Sequence, residues 1–217
     1  MARPSQSQRI YDCLKEMITK RELLPGQQII ETDIAARYAA SRTPVRKAIR
    51  MLAEEGLVEV VPNRGCFLKE LTKADIVMVC EVAEALEGMA CYLLAEKQKE
   101  GSLPQSYLER LEGYVKEMER AVEDNRIKAW VLADDRFHAE IAEMAGNRFI
   151  IQERNHVFQQ LNQLLWFITS VEVDKRKSNL EHRGMLEAIQ EGDAERARMV
   201  AQKQRHRIRD GVKILLD

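Results

Sequence analysis

After Pro104 the chain runs to residue 217 without another proline. Proline breaks helix interiors because it lacks an N–H and clashes with the preceding turn, so this half of the chain can be helical throughout. Gly101, Gly146 and Gly192 fall where helices would end, and strong helix formers fill the stretches between them. The pattern predicts six helices near 73–98, 105–124, 127–145, 147–171, 175–191 and 193–215. Ile76, Val79, Ala83, Leu86, Ala90 and Leu93 recur at helical spacing in the first, and Leu111, Val115, Met118 and Val122 in the second. Trp130 and Trp166 have the bulk to fill the resulting core. Six antiparallel helices make a bundle with room for an interior site.

Residues 1–70 follow a different pattern. Ser41-Arg42-Thr43-Pro44-Val45-Arg46-Lys47-Ala48-Ile49-Arg50 holds four basic residues and no acidic one. Thr43 is placed to cap a helix and Pro44 to open it, since the first N–H groups have no partner anyway. Val45, Ala48, Ile49 and Leu52 form one apolar face. Arg46, Lys47 and Arg50 point elsewhere, and Arg42 stands just ahead. A helix packed on one side and basic on the other suits the DNA major groove. The alternative is a surface helix with a solvated basic side.

The flanking segments bear on that choice. Arg9–Ile18 is amphipathic, with Ile10, Leu14, Met17 and Ile18 on one side, and Leu24-Pro25-Gly26-Gln27 is a turn. Glu31–Tyr38 is a short helix with Thr32 or Asp33 near its start and Ile34, Ala35 and Tyr38 inward. Glu55-Gly56 stops the basic helix. Val58–Val61 and Cys66–Leu68 then flank a Pro62-Asn63-Arg64-Gly65 turn as a hairpin. Helix, turn, helix and hairpin make a winged helix-turn-helix, with Arg64 at the wing tip to meet phosphate or the minor groove. Charge divides in the same way: 12 Lys/Arg against 9 Asp/Glu in residues 1–70, and 22 against 26 in the remainder.

These segments resemble the GntR family of bacterial transcription regulators, in its FadR-type branch. The resemblance rests on Pro25-Gly26, Ser41 to Ala48, Glu55-Gly56-Leu57-Val58 and Asn63-Arg64-Gly65. It implies that Arg42 and Arg46 read guanine edges or phosphate, that Ser41 and Thr43 contact phosphate, and that Arg64 and Gly65 serve the wing. Lys47 stands where the family often has Glu and adds charge on the DNA side, as does Arg50.

Asp134-Asp135-Arg136-Phe137-His138 resembles the D-x-x-F-H pattern of the FCD domain, the usual partner of this winged helix. Gly146-Asn147, Glu181 to Ile189, Gly192-Asp193 and Ala197 agree with it. The resemblance implies that Asp134, His138 and His182 hold a divalent cation, zinc or else nickel or manganese. The family's fourth ligand position falls on Gln204, a neutral, hard oxygen donor poorly suited to zinc. His206, two residues on, is turned away along a helix. Three readings stay open: three ligands completed by water, a harder metal, or a buried hydrogen-bonded cluster without metal. Ala83 falls where the family often has an arginine that holds a carboxylate effector. Either Arg136 or Arg183 takes that role, or the effector is not a simple hydroxy acid. Arg205, Arg207 and Arg209 share no evident face and read as solvated.

No apolar run reaches transmembrane length. Phosphate-loop, nucleophile-elbow and dinucleotide fingerprints are lacking. The four cysteines have no metal-site spacing, and without a signal peptide they read as reduced thiols in a cytoplasm. The expectation is a mainly α protein. Residues 1–70 form a DNA-binding winged helix-turn-helix, and residues 71–217 an FCD-like helical domain for effector binding and dimerisation. The function expected is a cytoplasmic, homodimeric, ligand-responsive regulator of double-stranded operator DNA. It would be a repressor modulated by a small molecule, and not an enzyme. The alternatives are a metal-dependent hydrolase using Asp134, His138 and His182, and a helical interaction module with an accessory DNA-binding arm.

Overall fold

The computed structural model describes residues 4–20, 22–70, 72–158 and 174–215. The chain divides into two compact units, Met1–Thr72 and Lys73–Asp217.

In the first unit, α1 (Gln6–Thr19) opens on Ser5, whose hydroxyl accepts the Gln8 N–H. The short β1 (Gln28–Ile29) and the helices α2 (Glu31–Arg37) and α3 (Arg42–Glu54) follow. Strands β2 (Val58–Val61) and β3 (Gly65–Leu68) form the wing. The antiparallel sheet has the order β1-β3-β2, with Ile29 opposite Cys66 and Val61 opposite Gly65. Leu14, Val45, Ala48, Ile49, Leu52 and Leu68 form its core. Tyr11 donates to Glu55, and Lys15 meets both, which ties α1 to the end of α3.

Two expectations are corrected here. The start of α3 is Arg42, with Ser41 rather than Thr43 in the position before it and no side-chain cap, so Pro44 is the third helical residue. That position is still within the first turn, where the missing N–H costs no hydrogen bond. Neither Thr32 nor Asp33 caps α2: Ile30 precedes the helix without a side-chain cap.

The second unit contains α4 (Lys73–Lys99), α5 (Gln105–Glu123), α6 (Ile127–Ala145), α7 (148–158), α8 (Lys175–Gln190) and α9 (Ala194–Leu215). The expected helix over 147–171 and Trp166 lie partly or wholly outside the described residues. Helix α4 packs on α6, α8 and α9, and α5 packs on α6 and α8. Trp130, Phe137, Leu111, Met118, Met185 and Leu186 fill the middle, and the Trp130 indole N–H donates to Asn179 at 2.8 Å. Gly192 turns α8 into α9 at φ +69°, and a Cβ there would lie 3.1 Å from Lys99 Cα, so glycine is favoured on both counts. The inward side of α4 is Ile76, Cys80, Ala83, Glu87, Ala90, Cys91 and Leu94, rotated from the expected stripe because Glu87 faces inward. Among the described residues no helix is long and apolar enough to cross a membrane.

Candidate DNA interface and effector site

Burial of Val45, Ala48, Ile49 and Leu52 fixes how α3 is rotated. Ser41, Arg42, Thr43, Arg46, Lys47 and Arg50 are left exposed. Arg46 reaches back to Glu31 of α2 at 2.8 Å, and Arg50 pairs with Glu54 at 3.2 Å, both at the surface. Such exposed pairs contribute little to stability. In the wing, Asn63 and Gly65 adopt φ +61° and +110°. Gln28 donates its amide N–H to the Arg64 carbonyl at 2.9 Å, and a Cβ on residue 65 would lie 2.7 Å from that nitrogen. The Arg64 guanidinium stacks over Phe67. Gln28 was not singled out in the sequence, because nothing in a two-residue strand announces its partner.

In the second unit, α6 and α8 bring Asp134, His138 and His182 together, with ligand atoms within 4.8 Å of one another. His182 Nε2 lies 3.1 Å from Asp134 Oδ1 and 3.0 Å from His138 Nε2, and the Asp134–His138 separation is 3.9 Å. A tetrahedral ion with bonds of ~2.0–2.1 Å sets neighbouring donors ~3.3 Å apart, a value these separations straddle. Helix α9 delivers Gln204, buried, with Nε2 at 3.1 Å from His182 Nε2. Its Oε1 is buried and has no hydrogen-bond partner among the described residues. Half a turn of the amide would bring that oxygen to the cluster as a fourth donor. Phe137 stands edge-on to both imidazoles, and Trp130 edge-on to His182.

Burial holds the His138 imidazolium well below its ordinary range, and the nearby Arg205 charge adds to this, so the ring is neutral with a lone pair to give. Its outer nitrogen, Nδ1, lies 3.5 Å from Glu87 Oε1, the arrangement that turns Nε2 toward a metal. Burial pushes the Asp134 carboxyl up. The hydrogen bond with His182, helped by the Arg205 charge, more than offsets this, so it stays below its usual value. The donor set therefore fits a divalent cation.

Arg205, expected to be solvated, is buried and grips Glu87 through Nε and Nη2, the latter at 2.6 Å. Arg207 holds Glu181 in the same side-on fashion at 2.9 and 2.5 Å, and Arg209 meets Glu84 at 3.3 Å. Residues 205 and 209 are one turn apart and both face α4, while 207 faces α8, so each finds a carboxylate on a neighbouring helix. Arg183 is taken up by Glu112 and Glu119, and Arg136 is exposed beside Glu117 at 4.0 Å. Neither faces the Asp134 cluster as the substitute cation for Ala83. His206 is exposed and pairs with Asp210 at 3.2 Å, so it takes no part in the cluster.

Residues 6–68 match the bacterial regulatory proteins of the gntR family, and residues 78–204 match the FCD domain. An HTH-type transcriptional regulator in the TAR-I ttuE-ttuC' intergenic region of Agrobacterium vitis is 34% identical over 136 residues, 63% of this chain and 78% of that protein. A probable D-xylose utilization operon transcriptional repressor of Paenarthrobacter nicotinovorans is 26% identical over 197 residues, 91% of this chain and 84% of that one. The solved structure of E. coli McbR/YncC covers 95% of this chain and 98% of its own, with a TM-score of 0.76 at 19% identity, a likeness of fold.

Proposed function

Because the chain belongs to the GntR family of bacterial regulatory proteins and carries an FCD domain, we propose that it represses transcription from an operator and lets go when a small molecule binds its helical unit. The chain is a DNA-binding, ligand-responsive transcription regulator rather than an enzyme, as the family and its matched regulators are. The hydrolase alternative finds no support among them.

One observation carries the DNA-binding reading: the buried face of α3 leaves Arg42, Arg46, Lys47 and Arg50 outward together. In this reading Arg42 and Arg46 meet guanine edges or phosphate, and Lys47 and Arg50 meet phosphate. Ser41 and Thr43 supply hydroxyl donors to the backbone of the duplex, and Gly65 lets Arg64 approach at the wing. Residues 1–70 are the DNA-binding domain, and residues 71–217 bind the effector and dimerise. Two copies would match two half-sites a helical turn apart. Met78, Val82 and Met89, exposed along one side of α4, favour a homodimer. Duplex binding followed by fluorescence anisotropy is expected to weaken roughly a thousandfold between about 50 and 200 mM salt if some six phosphates are contacted. A flat salt response would overturn the assignment.

Asp134, His138 and His182 would hold a divalent cation, with Gln204 as fourth donor. The cation would offer a Lewis-acidic point to an oxygen of the effector. The residues' own contribution is orientation: Glu87 aims His138, and Phe137 and Trp130 wall the imidazoles. Wild-type protein incubated with zinc, nickel or manganese and desalted is expected to retain about one ion per chain, and His138→Ala none. Metal-free wild-type protein after all three incubations would leave a hydrogen-bonded cluster instead. The effector acts by binding the DNA-competent and DNA-incompetent arrangements with different affinity.

A further inference from the structure

Of the cations on the outward side of α3, Arg46 is the one tied to another helix. It donates its Nε–H to Glu31 Oε2 at 2.8 Å, and Glu31 is the first residue of α2. Arg50 pairs within α3, with Glu54. Arg42 and Lys47 have no side-chain partner among the described residues.

Buried neighbours hold both members of the pair in place. Ile34 lies three residues after Glu31 on the same side of α2, and Val45 directly precedes Arg46 on α3. Both apolar side chains belong to the core of the unit. The Glu31 side chain is 27% exposed against 64% for Arg46, so the carboxylate is the fixed member and the guanidinium the outward one. An ion pair this open adds little to stability. What it changes is the state of Arg46.

An arginine can offer two edges to the O6 and N7 acceptors of a guanine: Nε with one Nη, or the two Nη groups together. Glu31 occupies Nε, so the first edge is taken. Nη1 and Nη2 have no partner among the described residues and remain as a fork on a fixed root. Less torsional freedom is then lost when that fork meets a base. Charge acts against the competing contact. Beside Glu31 the pair has no net charge, so Arg46 adds little attraction to a phosphate backbone of arbitrary sequence.

Resting on the DNA-binding reading given above, we propose that Glu31 is a positioning residue for sequence readout. It holds Arg46 by Nε so that Nη1 and Nη2 meet one guanine of the operator, and its charge withholds Arg46 from other DNA. Glu31 acts through Arg46 and itself touches no base.

The test uses the full chain and an operator selected by wild-type protein from a random duplex pool. Fluorescence anisotropy gives the affinity for that operator, for a scrambled duplex, and for operators with each guanine in turn replaced by 7-deazaguanine, which lacks the N7 acceptor. Glu31→Gln is expected to lower the ratio of operator to scrambled affinity about tenfold. Scrambled binding should not weaken, and its slope of log affinity against log salt should steepen by about 0.9, one more phosphate neutralised. A merely loosened fold would give neither result. One 7-deazaguanine should cost wild-type protein about tenfold and Glu31→Gln much less. Glu31→Asp, with the charge on a shorter stem, should recover the wild-type salt slope but only part of the ratio. In an Arg46→Ala background Glu31→Gln should leave the ratio unchanged. If the Glu31 variants fail to fold, the wild-type Arg46 Nε–H resonance, identified through Arg46→Lys, should stay protected from exchange in the operator complex. Its exposure on binding overturns the proposal. So does an unchanged ratio in Glu31→Gln, or an equal fall in the Arg46→Ala background, which would make Glu31 a matter of folding. The absence of any 7-deazaguanine penalty in wild-type protein, or a penalty that Glu31→Gln leaves intact at every position, overturns it too. Failure of wild-type protein to bind any duplex overturns the DNA-binding reading itself, whereas specific binding indifferent to Glu31 sinks this proposal alone.

Discussion

Arg42→Ala combined with Arg46→Ala is expected to lower operator affinity by ~2–6 kcal/mol, from ~1–3 kcal/mol for each base-reading arginine. Both side chains are exposed on α3, whose packing rests on Val45, Ala48, Ile49 and Leu52. Truncation should therefore leave the unit folded, and the loss is assigned to contact with DNA. The pair with Glu31 at the surface is worth only ~0–1 kcal/mol, so the DNA contact dominates. An operator selected by the wild-type protein from a random duplex pool is the reference, with a scrambled duplex beside it. A base-reading role predicts that the ratio between the two collapses. Equal weakening on both would reduce these arginines to phosphate contacts, and unchanged affinity would remove α3 from the interface.

Glu87→Ala is expected to destabilise the helical unit by ~3–5 kcal/mol. Arg205 is buried, and Glu87 takes up the side-on edge of its guanidinium. Removing the carboxylate strands a charge in the interior, which costs far more than the pair itself contributes. The same reasoning predicts that Glu87→Leu with Arg205→Met is close to neutral, because apolar replacement of both partners removes the desolvation cost as well. Both tryptophans fall within the second unit, so urea unfolding followed by their fluorescence reports that unit alone. A loss below about 0.5 kcal/mol in Glu87→Ala, within the usual range for surface changes, would mean that Arg205 reaches water once its partner is gone.

Helix positions in the second unit were legible because proline is absent after residue 104 and glycines stand at the helix ends. The apolar face of α3 was legible because four side chains share one helical side. The start of α3 was misjudged by two residues, since the first helical turn admits proline at any of its early positions. The inward side of α4 was misjudged because periodicity weighs hydrophobicity, and Glu87 enters the core on charge. Arg205 shows why: on α9 it is one charge among several, and only the approach of α4 decides that it is buried. Asp134, His138 and His182 came from motif resemblance, and the fold brings them within reach of one another across two helices.

The amide of Gln28 on the Arg64 carbonyl has a thermodynamic consequence for docking. A hairpin tip that is loose in free solution must freeze its torsions on the duplex, and that ordering is subtracted from the affinity. Here β1 braces the tip from outside the hairpin, and Gly65 admits the brace only because it has no Cβ. Much of the entropy of ordering the wing is thereby lost during folding, once, and is not charged again at each encounter with DNA.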